Sequence, residues 1–163
     1  MPDNQYHSTL EVLYSGIPRD LITKVKISFF PASRDNESVM VNAVWDTGAT
    51  HSALSPIVAR DLHLKTIDST VVHGVNNSKE SDIVIASIYL SDNISITGKR
   101  FTVNEIPGAD VLIGMDIIML GDFAISNGGG KTQLSFAIPP FVNKISFTEK
   151  ATDINDRLSR KKK

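Results

Sequence analysis

An all-β fold with one or two short helices is predicted for this chain by three observations. Residues 22–29 alternate between a mainly apolar and a polar set, which is the period of a strand with one buried face. The run VMVNAVW at 39–45 is apolar and rich in β-branched residues, which predicts a second strand paired with the first. Residues 70–90 hold two β-rich runs around a polar centre, which predicts a long hairpin with its tip near 74–81. The buried set of the first strand is Thr23, Val25, Ile27 and Phe29.

The remaining elements follow in chain order. Ser55 suits a helix N-cap and Pro56 suits the first helical position, so a short helix is predicted from Pro56 to about Leu62. The segment SITGKRFTVNEIP predicts one strand or two short ones, and DVLIGMDIIMLGD predicts an apolar strand, a glycine and a short helix. The segment DFAISNGGGKTQLSFAIPP predicts a further hairpin that turns at Gly128 to Gly130.

Length and composition limit the class of protein. The 163 residues fit one domain that can bury a core without disulfides or metals. We expect an N-terminal segment at 1–20, the domain at 21–140, and a polar, basic and flexible tail at 141–163. The absence of cysteine excludes disulfides, thiolate zinc sites and cysteine nucleophiles.

Charge and hydropathy indicate the partners and the compartment. The formal net charge of −1 gives no reason to expect a nucleic-acid partner. No apolar run approaches membrane-spanning length, so no membrane partner is expected. The first residues, MPDNQYHSTL, lack a basic and then apolar signal sequence, and we expect a cytoplasmic protein.

Three other motifs suggest chemistry, and each has a simpler explanation. GGGKT at 128–132 lacks the earlier glycine of a phosphate-binding loop and is followed by a strand pattern, so a hairpin turn is favoured. Three histidines share no short spacing and sit on different predicted elements, which favours ordinary histidines over a metal site; they are His51, His63 and His73. DTGAT superficially resembles phosphoryl-transfer aspartate loops, but those usually occur in alternating strand–helix sheets, which this chain lacks.

Asp46 directly follows the apolar strand and precedes Thr47 and Gly48. As an isolated triplet, D-T-G is explained by an aspartate that ends a strand and bonds the amides of a turn, with Gly48 supplying the turn. The alternative is a functional acid. A second apolar segment, VLIG, ends in glycine about 65 residues later and offers a surface against which a buried acidic loop could pack.

The two motifs WDTGAT and ADVLIGMDIIMLGDF, at this separation and with a hairpin between them, resemble the retropepsin-like aspartic proteases. The resemblance covers about residues 22–137 and implies a single-lobe, closed β-barrel-like fold. It implies an aspartic endopeptidase without a cofactor, in which Asp46 of each chain of a homodimer activates a water against an extended polypeptide. Thr47 and Gly48 are implied as the active-site loop and dimer lock. The implied substrate-binding residues are Ala49, Thr50, His73, Gly74, Val75, Ile113 and Gly114.

The chain also departs from the retroviral pattern. The acid and the arginine that pair in retroviral members are replaced together, by Thr50 and Met115, so neither charge is left unpaired. The predicted flap has a single glycine, Gly74, at its tip. The residues past Pro140 do not match the retroviral dimer strand, so the hairpin Phe123 to Ala137 is the alternative dimer sheet. The rival function is an inactive protease-fold module that dimerises or binds peptides, although such a module needs no acid at position 46.

Overall fold

The computed structural model describes residues 5–31, 38–73, 78–143 and 146–160, with only the backbone described at 73, 78 and 79. These residues form ten strands, three α-helices and a 3₁₀ helix at Gly128–Gly130. The strands are β1 (Ser8–Leu13), β2 (Ile22–Phe29), β3 (Ser38–Trp45), β4 (Ala53–Leu54), β5 (Asp68–His73), β6 (Ser78–Ser91), β7 (Ile94–Val103), β8 (Val111–Ile113), β9 (Asp122–Ser126) and β10 (Gln133–Ile138). The helices are α1 (Pro56–Asp61), α2 (Met115–Ile118) and α3 (Phe147–Arg160).

Six strands close into a barrel. The sheet runs in the order β2-β3-β8-β4-β7-β6-β5, and an additional pairing between β2 and β6 joins its ends. That pairing leaves β5 outside the closed ring, as the outer arm of a hairpin with β6. The closed β-barrel with few short helices confirms the predicted fold class. Closure also pairs both edges of the ring, which an open sheet leaves exposed.

The local predictions in the barrel are confirmed for most positions. Thr23, Val25 and Ile27 are buried, and β2 pairs with β3 in antiparallel register, as the alternating pattern predicts. The pattern is wrong at the end of the strand: Phe29 is only half-buried, and Ser28 of the polar set is buried where β2 also pairs with β6. The hydroxyl of Ser55 caps α1 by accepting the amide of Val58 at 3.3 Å, and Pro56 begins the helix. The core inside the barrel is formed mainly by Ile27, Leu54, Ile88, Phe101, Ile113 and Ile117.

A second, three-stranded sheet packs against the barrel in the order β1-β10-β9. The predicted hairpin at its centre is confirmed, and its turn contains Gly129 and Gly130 with φ of 66° and 74°, which glycine adopts without steric cost. Phe123 of β9 stacks on Trp45 of β3, with ring centroids 5.3 Å apart. This stack connects the small sheet to the strand that leads into Asp46.

One segment differs from the expected domain division. The segment 1–20 is predicted to lie outside the domain, but β1 pairs with β10 from Ser8↔Ile138 to Leu13↔Gln133 and so belongs to the fold. The tail at 141–163 contains the fourteen-residue helix α3, all of whose residues are exposed, and its flexibility stays a prediction. Among the described residues, no helix combines the length and apolar character that crossing a membrane requires.

Candidate active site

The Asp46 loop, defined as residues 46–50, begins where β3 ends beside β8. Trp45 and Ile113 are parallel partners, and the amide of Asp46 donates to the carbonyl of Ile113 at 2.9 Å. The Asp46 carboxylate Oδ1 accepts the amide of Gly48 at 2.8 Å, which fixes the carboxylate against its own turn. Thr47 is exposed, and within the described residues its hydroxyl makes no hydrogen bond. A turn of this kind can form wherever an aspartate ends a strand, so the function of Asp46 has to be inferred from the residues around the turn.

The support segment, defined as residues 113–116, lies directly behind the Asp46 loop. The amide of Met115 donates to the carbonyl of Ala49 at 2.8 Å, and the amide of Asp116 donates to the carbonyl of Thr50 at 3.2 Å. Gly114 is buried between these bonds, and a Cβ there would lie 2.8 Å from the backbone carbonyl of His51. The two motifs therefore meet as the sequence predicts, and the glycine permits their close approach.

A cleft of about 390 Å³ runs between the Asp46 loop and the β5–β6 hairpin. The loop side is lined by Gly48, Ala49, Thr50 and His51, and the hairpin side by Thr70, Val71 and Val72. An adjoining pocket of about 390 Å³ shares His51, Thr70 and Thr102 with the cleft and extends to Ile83, Lys99 and Asp116. A groove therefore continues past the aspartate turn along one face of the barrel.

The family profile described as aspartyl protease matches residues 31–117, which is more than half of the chain. The matched range includes the Asp46 loop, the β5–β6 hairpin and the support segment, all of which border or back the cleft. The chain belongs to the retropepsin-like aspartyl protease family.

One solved structure with a TM-score above 0.5 gives the same fold, and two further structures match with lower scores. A retropepsin-like aspartic protease from Rickettsia conorii matches with a TM-score of 0.51 and 16% identity, covering 82% of this chain and 96% of that one. EIAV protease complexed with the inhibitor HBY-793 matches with a TM-score of 0.47 and 24% identity, and the match covers 62% of this chain and 86% of that one. The retroviral protease-like domain of Ddi1 from Leishmania major matches with a TM-score of 0.40 and 20% identity, and the match covers 62% of this chain and 78% of that one. The comparison with curated proteins finds no match.

In this retropepsin-like chain, the predicted site residues separate into three groups. Ala49 and Thr50 line the cleft with Gly48, as expected of residues beside the turn. His73 ends β5 at the far end of the hairpin arm, while Gly74 and Val75 lie outside the described residues. Ile113 and Gly114 were expected to contact substrate, but both are buried behind the Asp46 loop and neither lines the cleft. Ile113 is covered by strand pairing with Trp45, and Gly114 is covered by the carbonyls of Ala49 and His51. Both residues therefore support the Asp46 loop from behind.

Sequence reasoning missed a polar network beneath the loop. The hydroxyl of Ser52 donates to Asp116 Oδ1 at 2.6 Å and accepts the amide of Gly114 at 3.0 Å. Lys99 Nζ lies 2.6 Å from Asp116 Oδ2. Burial raises the pKa of Asp116, but hydrogen bonds from Lys99 and Ser52 and the charge of Lys99 outweigh it, so the net pKa lies below the usual value. The only signal in the sequence was an acid placed two residues after Gly114.

Proposed function

We propose that this protein is an aspartic endopeptidase that works as a homodimer, with one Asp46 from each chain at a shared two-fold site. The observation that carries the proposal is the Asp46 turn itself. Its carboxylate is anchored by the Gly48 amide at 2.8 Å, beside a cleft walled by the β5–β6 hairpin, on a retropepsin-like barrel. The chain contains a single D-T-G triplet, so a second carboxylate has to come from a second chain.

The paired carboxylates act as acid and base toward one water. Two close carboxyl groups cannot both ionise cheaply, so the pair holds one proton between them. The ionised Asp46 takes a proton from the water as the water oxygen attacks the scissile carbonyl carbon, and the protonated partner donates to the carbonyl oxygen. Collapse of the tetrahedral intermediate breaks the carbon–nitrogen bond, and the amine leaves with a proton returned by the pair.

Thr47 fits the role of dimer lock. Its side chain is exposed at the rim of the turn and has no hydrogen-bond partner in the described part of its own chain. A hydroxyl in this position can donate to the loop backbone of a second copy across the two-fold axis. Such a bond holds the two carboxylates in one relative orientation, which a shared proton requires.

The substrate is a polypeptide in extended form. The groove lies between the Asp46 loop and β5, so an extended segment can add as a strand along the hairpin arm. Closure of the hairpin over the segment would exclude water and strengthen the electrostatic interactions around the reacting carbonyl.

The free edge of β9 is the surface that fits dimer formation. Within the described residues β9 pairs only with β10, and its other edge is open. Ile125 on this strand is 42% exposed, and Met119 and Leu120, which follow α2, are 74% and 42% exposed. An open strand edge beside exposed apolar side chains favours pairing with a second copy. This agrees with the hairpin Phe123 to Ala137 as the dimer sheet.

The test is cleavage of a peptide library at several pH values by wild type, Asp46→Asn and Asp61→Asn. The last is a matched control because Asp61 is an exposed carboxylate on α1. We expect cleavage by wild type and the control, a fall in activity once alkali removes the shared proton, and none by Asp46→Asn. Peptide binding without cleavage at any pH would favour the inactive module instead.

A further inference from the structure

The Ser52–Asp116–Lys99 network joins three parts of the fold that surround the catalytic turn. Ser52 follows the Asp46 loop, Asp116 ends the support segment, and Lys99 lies on β7 of the barrel wall. Ser52 is fully buried, and the side chains of Asp116 and Lys99 are only 14% and 21% exposed. The backbone carbonyl of Ser52 also accepts the amide of Thr102 at 3.2 Å. Ser52 is thus connected to β7 both directly, through Thr102, and through Asp116 and Lys99.

An ion pair that is largely shielded from water, as this one is, is an expensive way to stabilise a fold. The charges lose part of their hydration, and apolar residues of similar volume often stabilise a fold as well as such a pair does. What the ion pair adds, compared with apolar residues, is a fixed direction for each of its contacts. The carboxylate of Asp116 uses one oxygen for Lys99 and the other for Ser52, and Ser52 in turn accepts from Gly114. Each member therefore has a single orientation, which an apolar substitute does not impose.

We propose that Asp116 and Lys99 are positioning residues that hold the Asp46 loop in its catalytic geometry through Ser52 and the support segment. The proposal rests on the proposed protease function for its effect on catalysis, but the positioning itself is independent of activity. The path from Lys99 to the turn is continuous: Lys99 to Asp116, Asp116 to Ser52, and the backbone of 115–116 to the carbonyls of Ala49 and Thr50.

The other charged groups beside the network do not change the assignment of Asp116 and Lys99 as positioning residues. His51 and Arg100 line the same pocket as Asp116 and Lys99. Arg100 is paired with Asp68 at 2.9 Å in an exposed bridge, which contributes little to loop order. His51 is exposed, and its backbone packs on Gly114. Among the residues that the structure describes, Lys99 is therefore the cation that directly contacts Asp116.

The experiment uses the full chain with Lys99→Met, Asp116→Asn, the double variant, and Lys99→Arg as the conservative variant that keeps the charge. Asp61→Asn is the control carboxylate. Amide hydrogen exchange is followed at Met115, whose amide bonds the Asp46 loop, and at Trp45, whose amide bonds Leu21 at 3.0 Å outside it. We expect faster exchange at Met115 and unchanged exchange at Trp45 in Lys99→Met, with Lys99→Arg close to wild type.

Peptidase kinetics provide the second measurement. In Lys99→Met, kcat should fall about ten- to a hundredfold with little change in KM, since displacing a reacting group by 1 Å can cost about a hundredfold. The double variant should recover part of this loss, because Lys99→Met alone leaves a largely shielded carboxylate without its cation. If kcat is unchanged, or if Met115 and Trp45 exchange faster together, the network only stabilises the fold and the proposal is wrong. If no variant or wild type cleaves peptide while Met115 still responds selectively, the proposed function fails and the positioning role is supported.

Discussion

At Gly114, the absence of a side chain lets two backbones meet behind the Asp46 turn. A Cβ at this position would lie 2.8 Å from both the carbonyl carbon and oxygen of His51 and 2.9 Å from the carbonyl oxygen of Ala49. These are backbone atoms of the Asp46 loop and of His51, which directly follows it, so they cannot move aside without moving the loop. One residue thus sets the distance between the two motifs that define the family.

Replacing Gly114 with alanine should therefore lower stability and activity together. We expect a loss of about 1–3 kcal/mol in the free energy of unfolding, as for other insertions into a packed site. Gly16→Ala is the matched control, because a Cβ there has no heavy atom within 4 Å. Urea unfolding of both variants measures the difference. Equal stability of the two variants would contradict the close approach described here.

The pH dependence of stability should reveal Asp116. Its pKa in the folded protein lies below the usual value because Lys99 and Ser52 outweigh the effect of burial. A lowered folded pKa means that the ionised form stabilises the fold above the unfolded pKa, and that this contribution disappears as pH falls through the folded pKa. Asp116→Asn should be less stable than wild type by about 1–3 kcal/mol at neutral pH. This difference in the free energy of unfolding between wild type and Asp116→Asn should become smaller below about pH 4.

Unfolding of wild type, Asp116→Asn and Asp61→Asn at several pH values makes this measurement. The Asp61 carboxylate is half exposed and forms a surface bridge with Arg60, so its removal should change stability little at any pH. A constant gap between wild type and Asp116→Asn from neutral to strongly acidic pH would mean that Asp116 is not stabilised as a carboxylate in the fold.

At the scale of elements, the two chain ends contribute differently to the fold. β1 pairs with β10 over its whole length and places Leu10 opposite the buried Phe136. In contrast, α3 has no buried residue; its larger apolar side chains, Phe147, Ile154 and Leu158, are all exposed. The domain that folds as a unit therefore begins before residue 20, and α3 adds no burial to it in a single chain.

Two truncations test this difference. Removing residues 1–13 should lower the melting temperature by more than about 5 °C, because it removes a paired strand and uncovers the small sheet. Removing residues 144–163 should change it by less than about 1 °C, because no side chain of α3 is buried. Thermal unfolding followed by circular dichroism compares the two. The opposite ranking would show that α3 stabilises the fold and β1 does not.

At the scale of the whole molecule, activity should depend on association. A single chain supplies one D-T-G triplet, so activity per chain should fall as the protein is diluted below its dimer dissociation constant. Mixing equal amounts of wild type and Asp46→Asn should give wild-type, mixed and mutant dimers in a ratio of about 1:2:1 when subunits exchange freely. Activity should then be about a quarter of that of an all-wild-type sample at the same total protein.

Subunit exchange is verified separately, by mixing differently tagged chains and isolating the mixed dimer. Asp46→Asn suits the experiment because the amide has nearly the shape of the acid and leaves the loop able to pair. Activity of one half, with exchange verified, would mean that each chain works alone. The two-fold site would then be wrong, while membership of the family would stand on the fold and the profile match.

The local patterns of the sequence determined the elements of the barrel and the position of the Asp46 turn. Alternation predicted β2, a proline and a serine predicted the start of α1, and glycines predicted the turn before β10. The D-T-G and L-I-G motifs predicted that residues 46–50 and 113–116 lie together. These features were predictable because neighbouring residues carry them: strand and helix periods, caps and turns are properties of short segments.

Only the tertiary structure decided which distant segments meet. Residues 1–20 looked like a separate segment, yet β1 joins β10 across more than a hundred residues. Lys99 was one lysine in a predicted strand, and Asp116 one acid in a predicted helix, until barrel closure brought them within 2.6 Å. Ile113 and Gly114 were predicted to contact substrate, but Ile113 is buried in strand pairing with Trp45, and the carbonyls of Ala49 and His51 cover Gly114. No short-range period records such contacts, because they depend on how the closed barrel brings separate strands and loops together.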